Sequence, residues 1–516
     1  MALPDSLHGL MDKEAYPHPC TGIELTETHI SWVLLTGDFA YKLKKPVRFS
    51  FLDFSTLELR EHFCREELRC NRSFAPQLYV DVVPVYQRAD NTISMGGTPA
   101  PGDTLLEWAV QMHQFDPAAQ LDRLLEQTGI KTNMLADFGC ELAARHVALP
   151  RLTDAASEIK QRVFGPVQDN FSEIATTGLQ PAYEMLLTQT HELADTLGQQ
   201  LLPLIKDRMQ DGYIRECHGD LHLSNLVLID DVVIAFDCLE FNANLRWIDT
   251  INDVAFLFMD CHERGRYDLA YAFLNGYLDA SGDYQGTEML GYFATYRSMV
   301  RAKVAALRWE QDHSENAETR FITHIKWAKA WLERPAGTLL LMCGLSGAGK
   351  TYVADRLAPL LPAIRLRSDV ARKTLAGLAA LARTDSPVGE DLYHPEQSDE
   401  VYKYLARVAE ALLCGGDNVI VDATFIEKKR RAEFLNLAKR LGIKVQVIYC
   451  TAPVDVLRSR IKARSALSHD ASEATLEVLD MQLTKFEAPK APEPVIELVT
   501  DATLSDADLM SLVDNK

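Results

Sequence analysis

The stretch Gly344-Leu-Ser-Gly-Ala-Gly-Lys-Thr351 constrains this 516-residue chain more than any other. It fits G-x-x-x-x-G-K-[ST] in full and lies between an apolar run, TLLLMCGL, and an amphipathic helical pattern, TYVADRLAPLL. Strand, glycine-rich loop and helix in that order form the start of a βαβ unit around a parallel sheet. Glycines at 344, 347 and 349 let the backbone wrap a phosphate without Cβ clashes. The loop N–H groups, those of Ser346 and Ala348 among them, and the helix N-terminus supply positive potential. Lys350 is placed to reach the β- and γ-phosphates of a nucleotide, and the Thr351 hydroxyl to ligate Mg²⁺. The expected cofactors are therefore ATP and Mg²⁺.

Residues 338–490 continue the alternation, with strand candidates NVIVDATF and KVQVIYC between helical segments. In IRLRSDVARKTLAGL, Asp369 falls just past an expected second strand, where a carboxylate is placed to accept the proton of an attacking hydroxyl. Arg367 and Arg372 beside it suit an anionic substrate. NVIVDATF delivers Asp422 and Thr424 to the carboxyl edge of the sheet, where Asp422 can hold the Mg²⁺ water shell or orient the substrate. The basic helix after KVQVIYCTAP carries Arg458, Arg460 and Arg464, and the last two are assigned to a lid over the phosphates. GLSGAGKT, RSDVAR, VDATF and the arginine-bearing helix together resemble the P-loop kinases that include polynucleotide 5′-hydroxyl kinases, gluconate kinases and zeta-type toxins.

A second constellation lies upstream. Cys217-His-Gly-Asp220-Leu-His222-Leu-Ser-Asn225 is followed by the apolar run LVLIDDVVIAF and then Asp237. Asp220 and Asn225 sit five apart in one loop, and Asp237 follows a hairpin, the arrangement that places a base, a metal-binding amide and a metal-binding carboxylate around ATP. This form of the loop resembles the aminoglycoside phosphotransferase and choline kinase group. The resemblance implies that Asp220 takes the proton of a substrate hydroxyl, that Asn225 and Asp237 hold Mg²⁺, and that Asp253 supports the loop. His218 and His222 are read as braces. Period-two alternation in FAYKLKKPV puts Lys42 and Lys44 on one face. Lys42 is assigned to the phosphates, with Lys44 as the other candidate, paired with Glu67 or Glu66 of the next helix. TLLEWAV, around Glu107–Val110, is read as the adenine-binding hinge.

The boundary between the two parts is expected near Pro335, where the helical region of about 285–333 ends. That gives an α+β, protein-kinase-like bilobal domain over 1–334, with a small lobe at about 20–110 and a helical lobe at about 111–334, and an α/β P-loop domain over 335–516. The whole arrangement resembles bacterial bifunctional proteins that join an aminoglycoside phosphotransferase-like part to a P-loop ATP-binding part. It implies a cytoplasmic phosphotransferase with two nucleotide sites acting on hydroxyls of a sugar, amino sugar, sugar acid, nucleoside or short 5′-hydroxyl oligonucleotide. The alternative is an ATP-gated regulatory or toxin-like module whose first domain senses a ligand. With 53 Lys+Arg against 73 Asp+Glu, the net charge of −20 argues against long nucleic acid and anionic membrane surfaces as partners. The ten cysteines form no C-x-x-C pair and are read as free thiols.

Overall fold

The computed structural model describes residues 3–49, 52–127, 129–152, 160–382, 395–467, 474–500 and 504–512. The chain packs as two compact units that interleave along the sequence. One comprises Met1–Ile130, Ala148–Pro166 and Lys206–Asp253, the other Lys131–Val147, Val167–Ile205 and Val254–Lys516. Compaction thus cuts the chain elsewhere than the motif boundary near residue 335.

The first unit is organised by a six-stranded antiparallel sheet of β1 (Glu24–Glu27), β2 (Ser31–Leu35), β3 (Phe39–Lys44), β4 (Tyr79–Gln87), β5 (Ile93–Met95) and β6 (Thr104–His113). The spatial order is β1-β2-β3-β6-β4-β5. Alternation along β3 divides its residues between two cores: Tyr41 and Leu43 pack with Trp32, Leu34, Val85 and Ala109 on one face. The other face carries Lys42 and Lys44. There helix Leu57–Asn71, capped by Thr56, contributes Cys64 and Leu68 to a core shared with Val82, Val110, Val227 and Ile234. Further on, β7 (Ile214–Glu216) pairs with β10 (Trp247–Asp249), and β8 (Leu226–Ile229) with β9 (Val232–Ala235). The β8–β9 turn is Asp230-Asp231, with φ of 50° and 61°, the left-handed conformation that matches strand twist in a two-residue hairpin.

The second unit contains five parallel strands, β11 (Leu339–Cys343), β12 (Ala363–Arg367), β13 (Asn418–Asp422), β14 (Val445–Thr451) and β15 (Val495–Val499), in the order β12-β13-β11-β14-β15. Every residue of β11 and β12 is buried, as expected of strands covered on both faces. Among the described residues, the edge of β12 is closed by side chains rather than by another strand. Asn275, on helix Tyr267–Ser281, donates to Ala363 O at 2.9 Å and accepts from Arg365 N at 2.8 Å, and the Tyr284 hydroxyl accepts from Arg367 N at 3.0 Å. These three contacts satisfy alternate backbone groups that would otherwise be buried unpaired.

The helical region expected over about 285–333 is two helices, Leu290–Asp312 and Glu315–Leu332. The break falls at His313, whose φ is 48°, and Ser314 caps the second helix by accepting from Ala317 N. All ten cysteines are free, and only Cys414 is exposed. Among the described residues no helix is long and apolar enough to cross a membrane. The chain therefore combines the small-lobe sheet and hairpin-borne loop of a protein-kinase-like α+β fold with a P-loop α/β sheet.

Candidate active sites

In the first unit the loop from Cys217 to Asn225 is fixed from below by Asp253, whose carboxylate accepts from His218 N at 3.1 Å and Gly219 N at 2.9 Å. His218 is fully buried. Its Nε2 donates to Phe236 O at 2.9 Å, so its Nδ1 is the acceptor for Asp220 N at 3.3 Å. Burial holds the imidazole pKa below its usual value, against the pull of Asp253 and Asp220, which agrees with that neutral tautomer. The Asn225 amide nitrogen donates to Asp220 O at 2.9 Å and Asp220 Oδ2 at 3.0 Å, which leaves its oxygen to offer a metal. His222 Nε2 lies 3.4 Å from Asp220 Oδ2. Loop, amide and carboxylate thus form one connected group.

Asp237 ends the hairpin with φ 62° and is held there by Tyr79, whose hydroxyl accepts its N–H at 3.1 Å. The next residue, Cys238, donates its N–H to Asn71 Oδ1 at 2.9 Å. Lys42 Nζ sits 2.8 Å from Glu67 and 2.5 Å from Asp237, so the β3 lysine, the helix glutamate and the proposed metal carboxylate meet at one point. Lys44 shares Glu67 at 2.7 Å and also pairs with Glu240. Burial opposes the charge on Lys42, but the Asp237 and Glu67 carboxylates outweigh it and raise its pKa well above normal. Burial pushes the Glu240 carboxyl upward despite Lys44. Glu66 faces elsewhere, to Arg69 and Arg246. The lysine and the two oxygen donors, Asn225 and Asp237, suit a nucleotide with its Mg²⁺.

Two of the four residues of the expected hinge, Glu107–Val110, have their backbone enclosed. Ala109 and Val110 pair with Leu43 and Lys42 on one side and with Val83 and Val82 on the other, so that part of β6 is interior to the sheet. Glu107 is engaged with Arg60 at 2.7 Å. Pairing of β6 with β3 runs only from Ala109 to His113, so Glu107 and Trp108 are paired with β4 alone.

In the second unit the strand register sets out the site. Asp422 stands opposite Met342 on one side and Arg367 on the other, so the ends of β11, β12 and β13 converge just before the glycine-rich loop. A cavity of about 530 Å³ opens there. Ser346, Gly347, Gly349, Lys350, Thr351, Arg367, Asp369, Arg372, Asp422, Arg460 and Arg464 all line it. Gly344 and Ala348 do not. A Cβ at Gly344, whose φ is 139°, would lie 2.3 Å from Cys450 O, so this glycine serves close strand packing, and Ala348 is buried in the core.

Lys350 is buried, donates to Leu345 O at 2.9 Å and forms no ion pair among the described residues. Burial draws its pKa down, and Asp422 resists. A buried cation with this little compensation suits a phosphate, and the Thr351 hydroxyl and Asp422 carboxylate are the hard oxygen donors that Mg²⁺ takes. Arg460 is anchored on Gly347 O at 3.3 Å and Thr500 Oγ1 at 3.0 Å, and Arg464 donates to Ala474 O at 3.2 Å. Arg458 pairs with Asp480 away from the cavity. Arg367 lies 3.4 Å from Asp279 as well as facing the cavity.

Several residues here had no motif to announce them. Gln482 Oε1 accepts from Ser346 N at 2.8 Å, Thr500 Oγ1 donates to Ala348 O at 2.9 Å, and Asp399 pairs with Arg430 at the cavity wall. In the first unit the same holds for Tyr79, Asn71 and Glu240.

Residues 339–489 match the family described as "AAA domain". The uncharacterized protein Rv2004c of Mycobacterium tuberculosis is 30% identical over 461 residues, which cover 88% of this chain and 89% of that protein. The adenylyl-sulfate kinase of Myxococcus xanthus is 31% identical over 175 residues, 33% of this chain and 85% of that enzyme. Among solved structures, a choline/ethanolamine kinase family protein from Mesorhizobium loti is 11% identical, with 61% of this chain and 90% of that chain covered and a TM-score of 0.38.

Proposed function

Because the chain belongs to the family of the M. tuberculosis protein Rv2004c, whose name carries no activity, we propose from its own site residues that it is an ATP-dependent phosphotransferase with two nucleotide sites. The first activity is assigned to residues 1–334 and the second to residues 335–516. The acceptor of each is a hydroxyl of a small molecule. In each transfer a bond forms between the acceptor oxygen and the γ-phosphorus, the bond from that phosphorus to ADP breaks, and the acceptor proton passes to a carboxylate.

In the first site Asp220 is that carboxylate, Asn225 and Asp237 are the metal-facing pair, and Lys42, steadied by Glu67, grips the phosphates. In the second, Asp369 takes the proton and Arg367 and Arg372 hold an anionic acceptor. Lys350 and the loop amides take the phosphates, Arg460 and Arg464 flank them, and Thr351 and Asp422 face the metal. Bound Mg²⁺ would neutralise charge developing on the transferred phosphoryl group.

The observation that carries this reading is the shared cavity. One space of about 530 Å³ is lined at once by Lys350, Thr351, Asp422, Asp369, Arg367 and Arg372. The named activity of the M. xanthus relative, an adenylyl-sulfate kinase, supports phosphoryl transfer and adds adenylyl sulfate to the acceptors worth offering. Sugars, sugar acids, amino sugars, nucleosides and short 5′-hydroxyl oligonucleotides complete the set. The test is ATP turnover and phosphate incorporation with this set on wild type, Asp220→Ala and Lys350→Ala. Separable losses in the two variants support two sites. Slow hydrolysis with no phosphorylated product, unaffected by either substitution, overturns the proposal.

A further inference from the structure

The segment Arg367–Arg372 supplies the acceptor side of the second site, and it is gripped by a turn that precedes the glycine-rich loop by some sixty residues of sequence. Three contacts fall on it. The Tyr284 hydroxyl, fully buried, accepts the N–H of Arg367 at 3.0 Å. Asp279 takes the guanidinium of Arg365 and lies 3.4 Å from that of Arg367. Gly282 ends helix Tyr267–Ser281 in the left-handed conformation, φ 68°, directly against helix Ser368–Leu375. A Cβ at Gly282 would lie 2.1 Å from Thr374 Oγ1 and 3.5 Å from Val370 Cγ1.

These contacts bracket Ser368 and Asp369. One fixes the backbone just before them, one a side chain that faces the cavity, and one the helix just after. Asp369 lies at the start of the helix that follows β12, outside the P-loop motif, so its position relative to Lys350 depends on how β12 and that helix are held. We infer that the turn Asp279–Tyr284 is a positioning element of the second active site, holding Arg367 and Asp369 at the distance from the γ-phosphate that transfer requires. Tyr284 and Asp279 are positioning residues, with no contact to the reactants. The fold thereby makes the helices upstream of the P-loop part of the P-loop site, and a displacement of helix Tyr267–Ser281 is transmitted to Asp369. This inference rests on the phosphotransfer reading of that site.

The test is a double-mutant cycle in the full chain carrying Asp220→Ala, so that Lys350-dependent ATP hydrolysis reports the second site alone. Water then replaces the acceptor, its proton passes to Asp369, and ADP and phosphate leave. Tyr284→Phe should lower kcat about tenfold while KM for ATP changes less than about twofold. In an Asp369→Asn background the same substitution should lower kcat less than about twofold, because the group it positions is gone. Ser298→Ala is the comparator. It removes a buried hydrogen bond to His324 O between helices Leu290–Asp312 and Glu315–Leu332, off helix Tyr267–Ser281 and off the strand that leads into Asp369, and should lower Tm while multiplying with Asp369→Asn. If Tyr284→Phe multiplies in the same way, or acts on KM alone, the turn is only structural and the inference fails. If wild type shows no Lys350-dependent turnover, the phosphotransfer reading itself fails.

Discussion

Lys44→Met should destabilise the first unit by an amount the structure lets one work out. The Lys44 side chain is 0% exposed, Glu67 0% and Glu240 5%, so solvent cannot take over when the ammonium is removed. Breaking a buried pair from one side costs about 3–5 kcal/mol, because the remaining charge is left uncompensated. Glu67 retains Lys42 at 2.8 Å, which places the cost near the lower end, about 3 kcal/mol. At about 2–4 °C per kcal/mol for a unit of this size, Tm should fall by about 6–12 °C.

The pH dependence has a definite sign. Glu240 is already pushed upward by burial, and removing its cation pushes it further. A carboxyl whose pKa is raised by folding binds its proton more readily in the folded state. The penalty is therefore absent below the ordinary carboxylate pKa and grows as pH rises through the folded one. Thermal scans of wild type, Lys44→Met, Glu240→Gln and the double variant at pH 5 and pH 8 test this. The single lysine variant should lose more at pH 8 than at pH 5, and the double should lie nearer wild type than Lys44→Met. A loss below about 1 kcal/mol at pH 8, a larger loss at pH 5, or a double variant worse than both singles would refute the reasoning.

Asp220→Asn should lower phosphoryl transfer at the first site by about 10²–10⁴-fold with nucleotide affinity retained, measured by product formation beside a fluorescent-nucleotide titration. His218, whose folded pKa is depressed by burial, should cost stability as pH falls below about 6.5, where the unfolded chain takes up the proton first. His218→Gln should flatten that acid limb in melts taken from pH 5 to 7. A fragment beginning at residue 335 loses Asn275 and Tyr284 and leaves the β12 edge unpaired, so it should aggregate where the full chain stays dispersed in size-exclusion chromatography.

Local chemistry was the legible part of this chain. The glycine-rich loop, Asp369 and Asp422 are readable because a strand end followed by a helix start leaves few places for a side chain to go. Lys42 and Glu67 are readable because β3 alternates and one helix follows it. The expected hinge over Glu107–Val110 shows the limit of the same signal: alternation shows which residues share a face, but not that Ala109 and Val110 of β6 have neighbours on both sides. Long-range partners left no trace. The bond from Tyr284 to Arg367 spans 83 residues, and that from Gln482 to Ser346 spans 136. Neither Tyr nor Gln at those positions differs from an ordinary helix or turn residue. Lys44 was a candidate for the phosphates, yet its partner Glu240 lies 196 residues away, so the second ion pair was invisible.

The close approach of Gly282 to Thr374 bears on how such chains can diverge. The two positions lie on separate elements and neither belongs to a motif, so each taken alone looks free to drift. A methyl group at 282 would lie 2.1 Å from the Thr374 hydroxyl, so a replacement at 282 requires that side chain to turn away or to become smaller, and in either case it carries the strain of a positive φ. The two positions are therefore coupled in descent. In relatives, a side chain at the position of Gly282 should be found most often with a small residue at the position of Thr374.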